Sequence, residues 1–176
     1  SMDILISSNL ERLLYHITGD QAKVAGWMQQ LAEQGRYEVD AETLQKIQEI
    51  FWADWADDDT TSREIHDVYG EKKYVLDTHT SVAWRVAESY HKQTCDSHSM
   101  VIVSTASPYK FNESVLKALG VSVEGMDAFE MLDRLAGYNP DQAPSGLSSL
   151  RSAQVLHQGV CNRDKMRDVV ADFARS

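Results

Sequence analysis

The sequence has little cysteine, little basic charge and no long apolar run, and each absence excludes a class of protein. Its two cysteines, Cys95 and Cys161, form no C-x-x-C pair, which disfavours a disulfide framework and favours a reducing, cytoplasmic compartment. Its 17 basic residues are outnumbered by 27 acidic ones, and a net charge of −10 disfavours nucleic acid or an anionic membrane as a partner. No apolar run approaches the roughly 18 residues of a membrane span.

Motifs for several common catalytic and metal sites are also missing. The nine glycines are scattered, so the sequence contains no glycine-rich loop of the kind that holds a phosphate. No G-x-S-x-G segment indicates a hydrolase. His91, Cys95 and His98 lack a fourth zinc ligand, and the adjacent aspartates at 57–59 lack the alternate spacing of a calcium loop. We therefore expect no metal site in this chain.

Apolar residues recur at helical spacing along most of the chain, whose 176 residues suit a single domain. Helices are predicted over 9–17, 20–34, 40–55, 62–69, 78–90, 108–119, 126–138 and 163–174. In the last helix four apolar residues are expected to face inward: Met166, Val169, Val170 and Phe173. Core packing is also predicted for the tryptophans, which are Trp27, Trp52, Trp55 and Trp84.

Two short apolar runs, Tyr74–Leu76 and Val101–Val103, predict strands that are buried on both faces, as in a parallel sheet. Asp77 or Thr78 is predicted to cap the helix after the first run. Hydroxyl residues follow the second run, and Pro108 suits the first turn of the helix after it. Because ligands of open α/β sheets bind at the carboxyl ends of the strands, this turn is a candidate binding site.

Three segments resemble, in order, segments of threonine synthases, a family of enzymes that use pyridoxal phosphate (PLP). Residues 1–13 are similar to the family's S-x-M-D-I…S-N-x-x-R-L stretch, and residues 74–83 are similar to its D-P-H-T-A-V segment. Residues 104–111 resemble its S/G-T-A-x-P-x-K-F segment near the C-terminus. Thr78 replaces the family's usual proline, and Ser107 stands where histidine is common.

The resemblance implies a helix-rich α/β fold with few short, mostly parallel strands, the C-terminal portion of a fold-type II PLP enzyme. Residues 1–176 would form a single-domain C-terminal part, with the cofactor-linking lysine and the phosphate loop in the remainder of the same polypeptide. The parent would be a lyase that converts O-phospho-L-homoserine and water to L-threonine and phosphate. We expect the isolated chain to be inactive, and we expect either self-association through its exposed strand edges or a poorly ordered N-terminus.

The resemblance also assigns roles to single residues. Thr105, with Ser104 as the neighbouring candidate, would donate a hydrogen bond to the pyridine nitrogen of PLP; otherwise its hydroxyl satisfies a backbone group of the turn. Asp77 and His79 would line or order the site; otherwise Asp77 is a helix cap and His79 a surface residue. Lys110 would contact the substrate phosphate or lie in solvent.

Two alternatives remain open from the sequence. The parent could be another PLP enzyme that eliminates or replaces a group at the β carbon of its substrate. The chain could instead be a non-catalytic helical interaction module that shares only a strand, a turn and a helix start with the family.

Overall fold

The computed structural model describes residues 6–139, 143–156 and 158–175, and helices make up most of these residues. The α-helices are α1 (Ser8–Thr18), α2 (Gln21–Gln34), α3 (Ala41–Gln48), α4 (Asp58–Lys72), α5 (Thr78–Thr94), α6 (Asn112–Ala118), α7 (Ala128–Ala136), α8 (Ser145–Ser148) and α9 (Met166–Phe173). Short 3₁₀ turns cover Pro108–Phe111, Ser149–Ser152 and Arg163–Lys165. The helix-rich part of the predicted fold is therefore confirmed.

Aspartate side chains begin most of the longer helices. Asp20, Asp40, Asp57, Asp77 and Asp127 each accept hydrogen bonds from backbone N–H groups in the first turn of α2, α3, α4, α5 and α7 respectively. A carboxylate at this position satisfies free N–H groups and interacts favourably with the helix dipole. Part of the acidic excess of the sequence therefore serves to define where helices begin.

Helices α1 to α3 share a small apolar core. Leu14, Val24 and Trp27 are buried at its centre, with Met28, Tyr37, Val39 and Ile47 packed around them. The ammonium group of Lys23 in α2 lies 3.1 Å from the carboxylate of Asp40, which caps α3. This ion pair connects the second helix to the start of the third.

A larger core lies between α4, α6 and α7 and includes the loop before α5. Its fully buried members include Ile65 of α4, Leu116 of α6 and Leu135 of α7. Val75 and Leu76, in the loop that leads to α5, are also buried in this core. The start of α5 is therefore attached to the best-packed part of the molecule.

The predicted strands are not formed in the described part of the chain. Residues 74–76 and 101–103 lie in irregular segments that border one cleft of about 390 Å³. Val75 and Leu76 are buried as predicted, but Val101 and Val103 are 86% and 70% exposed. A strand exists only where a neighbouring backbone pairs with it, and these residues have no such neighbour among those described. Of the predicted α/β fold, the helices are therefore confirmed, and the strands are not found among the described residues.

Other predictions of burial were wrong. Helix α3 ends at Gln48, so Phe51 and Trp55 lie beyond it and are exposed, and Trp52 is exposed as well. The final helix is confirmed, but the four residues expected to face inward are exposed, by as much as 82% for Phe173. Helical periodicity shows which residues share a face, and it does not show what covers that face. No helix among the described residues is long and apolar enough to span a membrane.

The first prediction concerns Thr78, the first residue of α5. It is 4% exposed, and its hydroxyl has no hydrogen-bond partner among the described residues. Because an unpaired buried hydroxyl costs about 1–3 kcal/mol, Thr78→Val should raise the free energy of unfolding by about 1 kcal/mol. Thr78→Pro should also be stabilising, since proline suits the first helical position and Asp77 before it is extended, with ψ 166°.

Urea unfolding of the variants checks this prediction. Thr61→Val is the matched comparison, because Thr61 is equally buried but its hydroxyl donates to the Asp57 carbonyl at 2.8 Å. That substitution should lower the stability. If Thr78→Val is destabilising to the same degree as Thr61→Val, then the Thr78 hydroxyl is not unpaired in the folded protein.

The second prediction concerns the pH dependence of stability. The backbone N–H of Thr43 and then the Lys23 ammonium lower the pKa of Asp40 to about 2. Because this value lies below the ordinary pKa of about 3.9, Asp40 contributes stability above about pH 4. That contribution should be lost as the pH falls towards 2.

Asp40→Asn tests this, since asparagine caps a helix about as well as aspartate but does not titrate. The stability difference between the native chain and Asp40→Asn should shrink as the pH is lowered from 5 to 2. The control is Asp164→Asn, which removes one carboxylate that makes no hydrogen bond among the described residues. A difference for Asp40→Asn that does not change with pH would contradict the assignment.

Candidate functional site

Three side chains from two parts of the chain meet at the start of α5. The carboxylate of Asp77 accepts hydrogen bonds from the hydroxyl of Thr80 and, at 3.4 Å, from the hydroxyl of Ser104. The oxygen atoms of the two hydroxyls are 3.0 Å apart. We call Asp77, Thr80 and Ser104 the hydroxyl–carboxylate cluster; it joins the helix start to the turn after residue 103.

The carboxylate at the centre of this cluster is almost completely buried, since Asp77 is 1% exposed. It also accepts hydrogen bonds from the backbone N–H groups of His79, at 2.8 Å, and Thr80, at 3.2 Å. Its role as the cap of α5 is therefore confirmed, and it does more than cap the helix. A buried carboxylate needs several donors to offset the loss of water, and the cluster provides them.

The two hydroxyls predicted to be alternatives for the cofactor lie in different environments. The Ser104 hydroxyl belongs to the cluster and also lies 3.3 Å from the carbonyl oxygen of Ala106. Both residues are exposed, but the Thr105 hydroxyl makes no hydrogen bond to any residue that the structure describes. The backbone-satisfying role considered for Thr105 thus belongs to Ser104.

The rest of the turn has the local structure that the sequence predicts. Ser107 caps the 3₁₀ turn, with Pro108 in its first positions, and accepts a hydrogen bond from the backbone N–H of Tyr109. Tyr109 is buried in the larger core. A cleft of about 260 Å³ borders this turn and is lined in part by Tyr74, Ser104 and Ser107.

His79 and Lys110 share a neighbour. The ring of His79 packs edge-on against Phe111, with ring centres 5.1 Å apart and an angle of 74° between the planes. The ammonium nitrogen of Lys110 lies 5.8 Å from the centre of the same ring. His79 is half-buried and Lys110 is exposed. The structure therefore brings both residues to Phe111, in the segment that directly follows the hydroxyl-rich turn.

Two further residues support the site: Thr80, which ends the Asp77–Thr80 turn expected to line or order the site, and Ser81, which sequence analysis missed. Thr80 completes the cluster, and Ser81 donates a hydrogen bond at 2.8 Å to the Thr61 carbonyl, which ties α5 to α4. Both are buried polar residues in the first turn of α5. Their position three and four residues after the capping aspartate was the available signal, since residues at this spacing lie on one face with the cap.

None of the lysines belongs to the hydroxyl–carboxylate cluster. All eight lysines lie among the described residues, and all are exposed. Several are in ion pairs, such as Lys46 with Glu42 and Lys117 with Glu113. Within 6–139, 143–156 and 158–175, no group of three histidine, cysteine or acidic side chains is arranged to hold a metal ion.

Comparison with known proteins relates this geometry to a family. The family described as "Threonine synthase, C-terminal" matches residues 80–155. Threonine synthase-like 1 of Homo sapiens is 30% identical over 167 residues, which cover 93% of this chain and 22% of that protein. Threonine synthase of Saccharomyces cerevisiae is 34% identical over 134 residues, which cover 68% of this chain and 26% of that protein.

A solved structure agrees with these sequence matches. The crystal structure of PLP-bound threonine synthase from Brucella melitensis is similar with a TM-score of 0.73 and 30% identity, covering 99% of this chain and 32% of that one. The chain thus spans less than a third of the length of these relatives. By sequence and by fold, the chain belongs to the threonine synthase family, as a counterpart of the C-terminal portion of its members.

Proposed function

We propose that this chain forms one side of the cofactor site of a PLP-dependent threonine synthase. That enzyme is a lyase that converts O-phospho-L-homoserine and water to L-threonine and phosphate. The observation that carries the proposal is the exposed Thr105 hydroxyl, which has no hydrogen-bond partner among the described residues and stands beside the anchored Ser104. The family membership supplies the class of chemistry.

The chemistry of Thr105 fits the pyridine side of PLP. When bound, PLP supplies an electron sink that stabilises negative charge on the substrate. A threonine hydroxyl donates one hydrogen bond to a neutral pyridine nitrogen but cannot keep a proton on it, as a carboxylate would. Thr105 therefore orients the ring and leaves the nitrogen neutral, a setting that suits elimination and replacement at the β and γ carbons.

The cofactor-linking lysine is proposed to come from outside this chain. A lysine that forms an imine at neutral pH has to lose its proton readily, which burial or a neighbouring cation promotes. The eight lysines here are exposed, and the hydrogen bond to Asp40 raises the pKa of the Lys23 ammonium. We accordingly assign the lysine and the phosphate loop to the remainder of the same polypeptide, and we expect the isolated chain to be inactive.

Lys110 and His79 are proposed to serve the substrate side of the site. Lys110 is exposed on the turn that follows Thr105, and its ammonium group can contact a phosphate as a point charge. The edge-on contact of His79 with Phe111 holds that turn against the start of α5. Asp77 orders the site through the hydrogen bonds of the hydroxyl–carboxylate cluster.

Exposed apolar residues indicate that other protein covers this side of the molecule. Val101 and Val103 are 86% and 70% exposed, and they belong to a segment whose composition suits a buried strand. We assign their cover to the remainder of the polypeptide, and we expect the isolated chain to associate with itself. The free cysteines Cys95 and Cys161, both exposed, suit the reducing cytoplasm.

The third prediction tests Thr105 in the protein that carries this chain. Thr105→Ala removes the proposed donor, and the loss of one such hydrogen bond, on the order of 1 kcal/mol, should weaken PLP binding and turnover about fivefold or more. Thr105→Ser keeps the hydroxyl and should have a much smaller effect. PLP titration followed by absorbance and steady-state kinetics with O-phospho-L-homoserine measure both quantities.

Thr18→Ala and Thr18→Ser provide the matched control, because Thr18 lies at the end of α1 and its hydroxyl donates to the Leu14 carbonyl. Neither should change PLP affinity. Equal effects of alanine and serine at position 105 would show that the hydroxyl does not act on the cofactor.

A further inference from the structure

We propose that Asp77 and Thr80 are positioning residues that hold the Ser104 hydroxyl against the start of α5, so that Thr105 is the hydroxyl of this turn that is left to face the cofactor. This inference rests on the proposed function and adds that the two adjacent hydroxyls have different roles: Ser104 is bound within the protein, and Thr105 binds the cofactor. It also gives a role to Thr80, which lies in the segment that resembles the family's D-P-H-T-A-V motif.

The hydroxyls of Ser104 and Thr105 differ in whether their proton is already used in a hydrogen bond within the protein. Each hydroxyl has a single proton to donate. The neighbours of the Ser104 oxygen include the Asp77 carboxylate at 3.4 Å and the Ala106 carbonyl at 3.3 Å, and both of these groups only accept. The Ser104 proton is therefore used within the protein, and Ser104 cannot donate it to a pyridine nitrogen at the same time.

Thr80 strengthens this arrangement. Its hydroxyl donates to the same carboxylate oxygen of Asp77, and it lies 3.0 Å from the Ser104 oxygen. The oxygen atoms of the three side chains lie at the corners of a triangle, with the carboxylate as the shared acceptor. Removing the Thr80 hydroxyl would leave the carboxylate with one donor fewer and would release one of the contacts that locate Ser104.

The cluster can hold the turn firmly because its base is rigid. Asp77 is 1% exposed and is bound by two backbone N–H groups of α5, a helix of 17 residues. Ser81 connects the same helix turn to α4 through the Thr61 carbonyl. The direction of the Thr105 hydroxyl thus depends on contacts that span from residue 77 to residue 104.

Such positioning matters for turnover because a displacement of about 1 Å at a reacting group can cost as much as 100-fold in rate. The cluster itself touches neither cofactor nor substrate in this account. Substitutions in the cluster should therefore change turnover only while the Thr105 hydroxyl is present. A cluster that only stabilised the fold would not show this dependence on Thr105.

The experiment uses the protein that carries this chain; its PLP affinity is measured by absorbance titration, and its turnover of O-phospho-L-homoserine is measured at saturating PLP. Thr80→Val should weaken PLP binding and lower kcat about tenfold with a change in KM below about twofold, and Thr80→Ser should restore both PLP affinity and kcat. Ser104→Ala removes the positioned hydroxyl itself and should lower kcat in the same way. Thr94→Val, at the other end of α5, is the matched control and should leave kcat unchanged.

A double-mutant cycle tests whether Thr80 affects turnover through Thr105. In a Thr105→Ala background, Thr80→Val should cause little further loss, because the group that it positions is gone. Additive losses from Thr80→Val and Thr105→Ala would overturn the inference, as would full kcat in Ser104→Ala. A large effect of Thr105→Ala with no effect of Thr80→Val refutes this inference alone, whereas an inert Thr105→Ala refutes the proposed function.

Discussion

The buried carboxylate of Asp77 is the group on which the candidate site depends. It defines where α5 begins, and it receives the hydroxyls of Thr80 and Ser104 from two different segments. A carboxylate is costly to remove from water unless hydrogen-bond donors surround it. Here the donors belong to the start of α5 and to the hydroxyl-rich turn, the two segments that the site has to align. The same requirement that keeps the charge buried therefore brings the hydroxyl-rich turn to the start of the helix.

The other constraint is the amount of apolar surface that this chain leaves uncovered. The larger core is well packed around Leu116 and Leu135, yet Val103 and Phe173 lie largely in solvent. Surfaces of this kind usually mark contacts with other protein. The relatives are more than three times as long as the region matched.

Local signals in the sequence predicted most helices and the cap at Asp77, because capping and periodicity depend on near neighbours. They also predicted that Pro108 starts a helical turn. The strand at 101–103 failed because pairing depends on a distant backbone, and the burial of Trp55 and of α9 failed because periodicity does not show what covers a face. The contact of Thr80 with Ser104 was not predicted, since the two residues are 24 positions apart. The ordered motifs of residues 74–83 and 104–111 nevertheless led to the correct family.

A structure of the PLP-bound protein that carries this chain tests the central claim most directly. The quantity to measure is the distance from the pyridine nitrogen of PLP to the hydroxyl oxygens of Thr105 and Ser104. We predict a hydrogen-bond distance of about 2.7–3.2 Å to Thr105, with Ser104 still bound to Asp77. A pyridine nitrogen that is instead hydrogen-bonded to Ser104, or that lies against a carboxylate, would contradict the account.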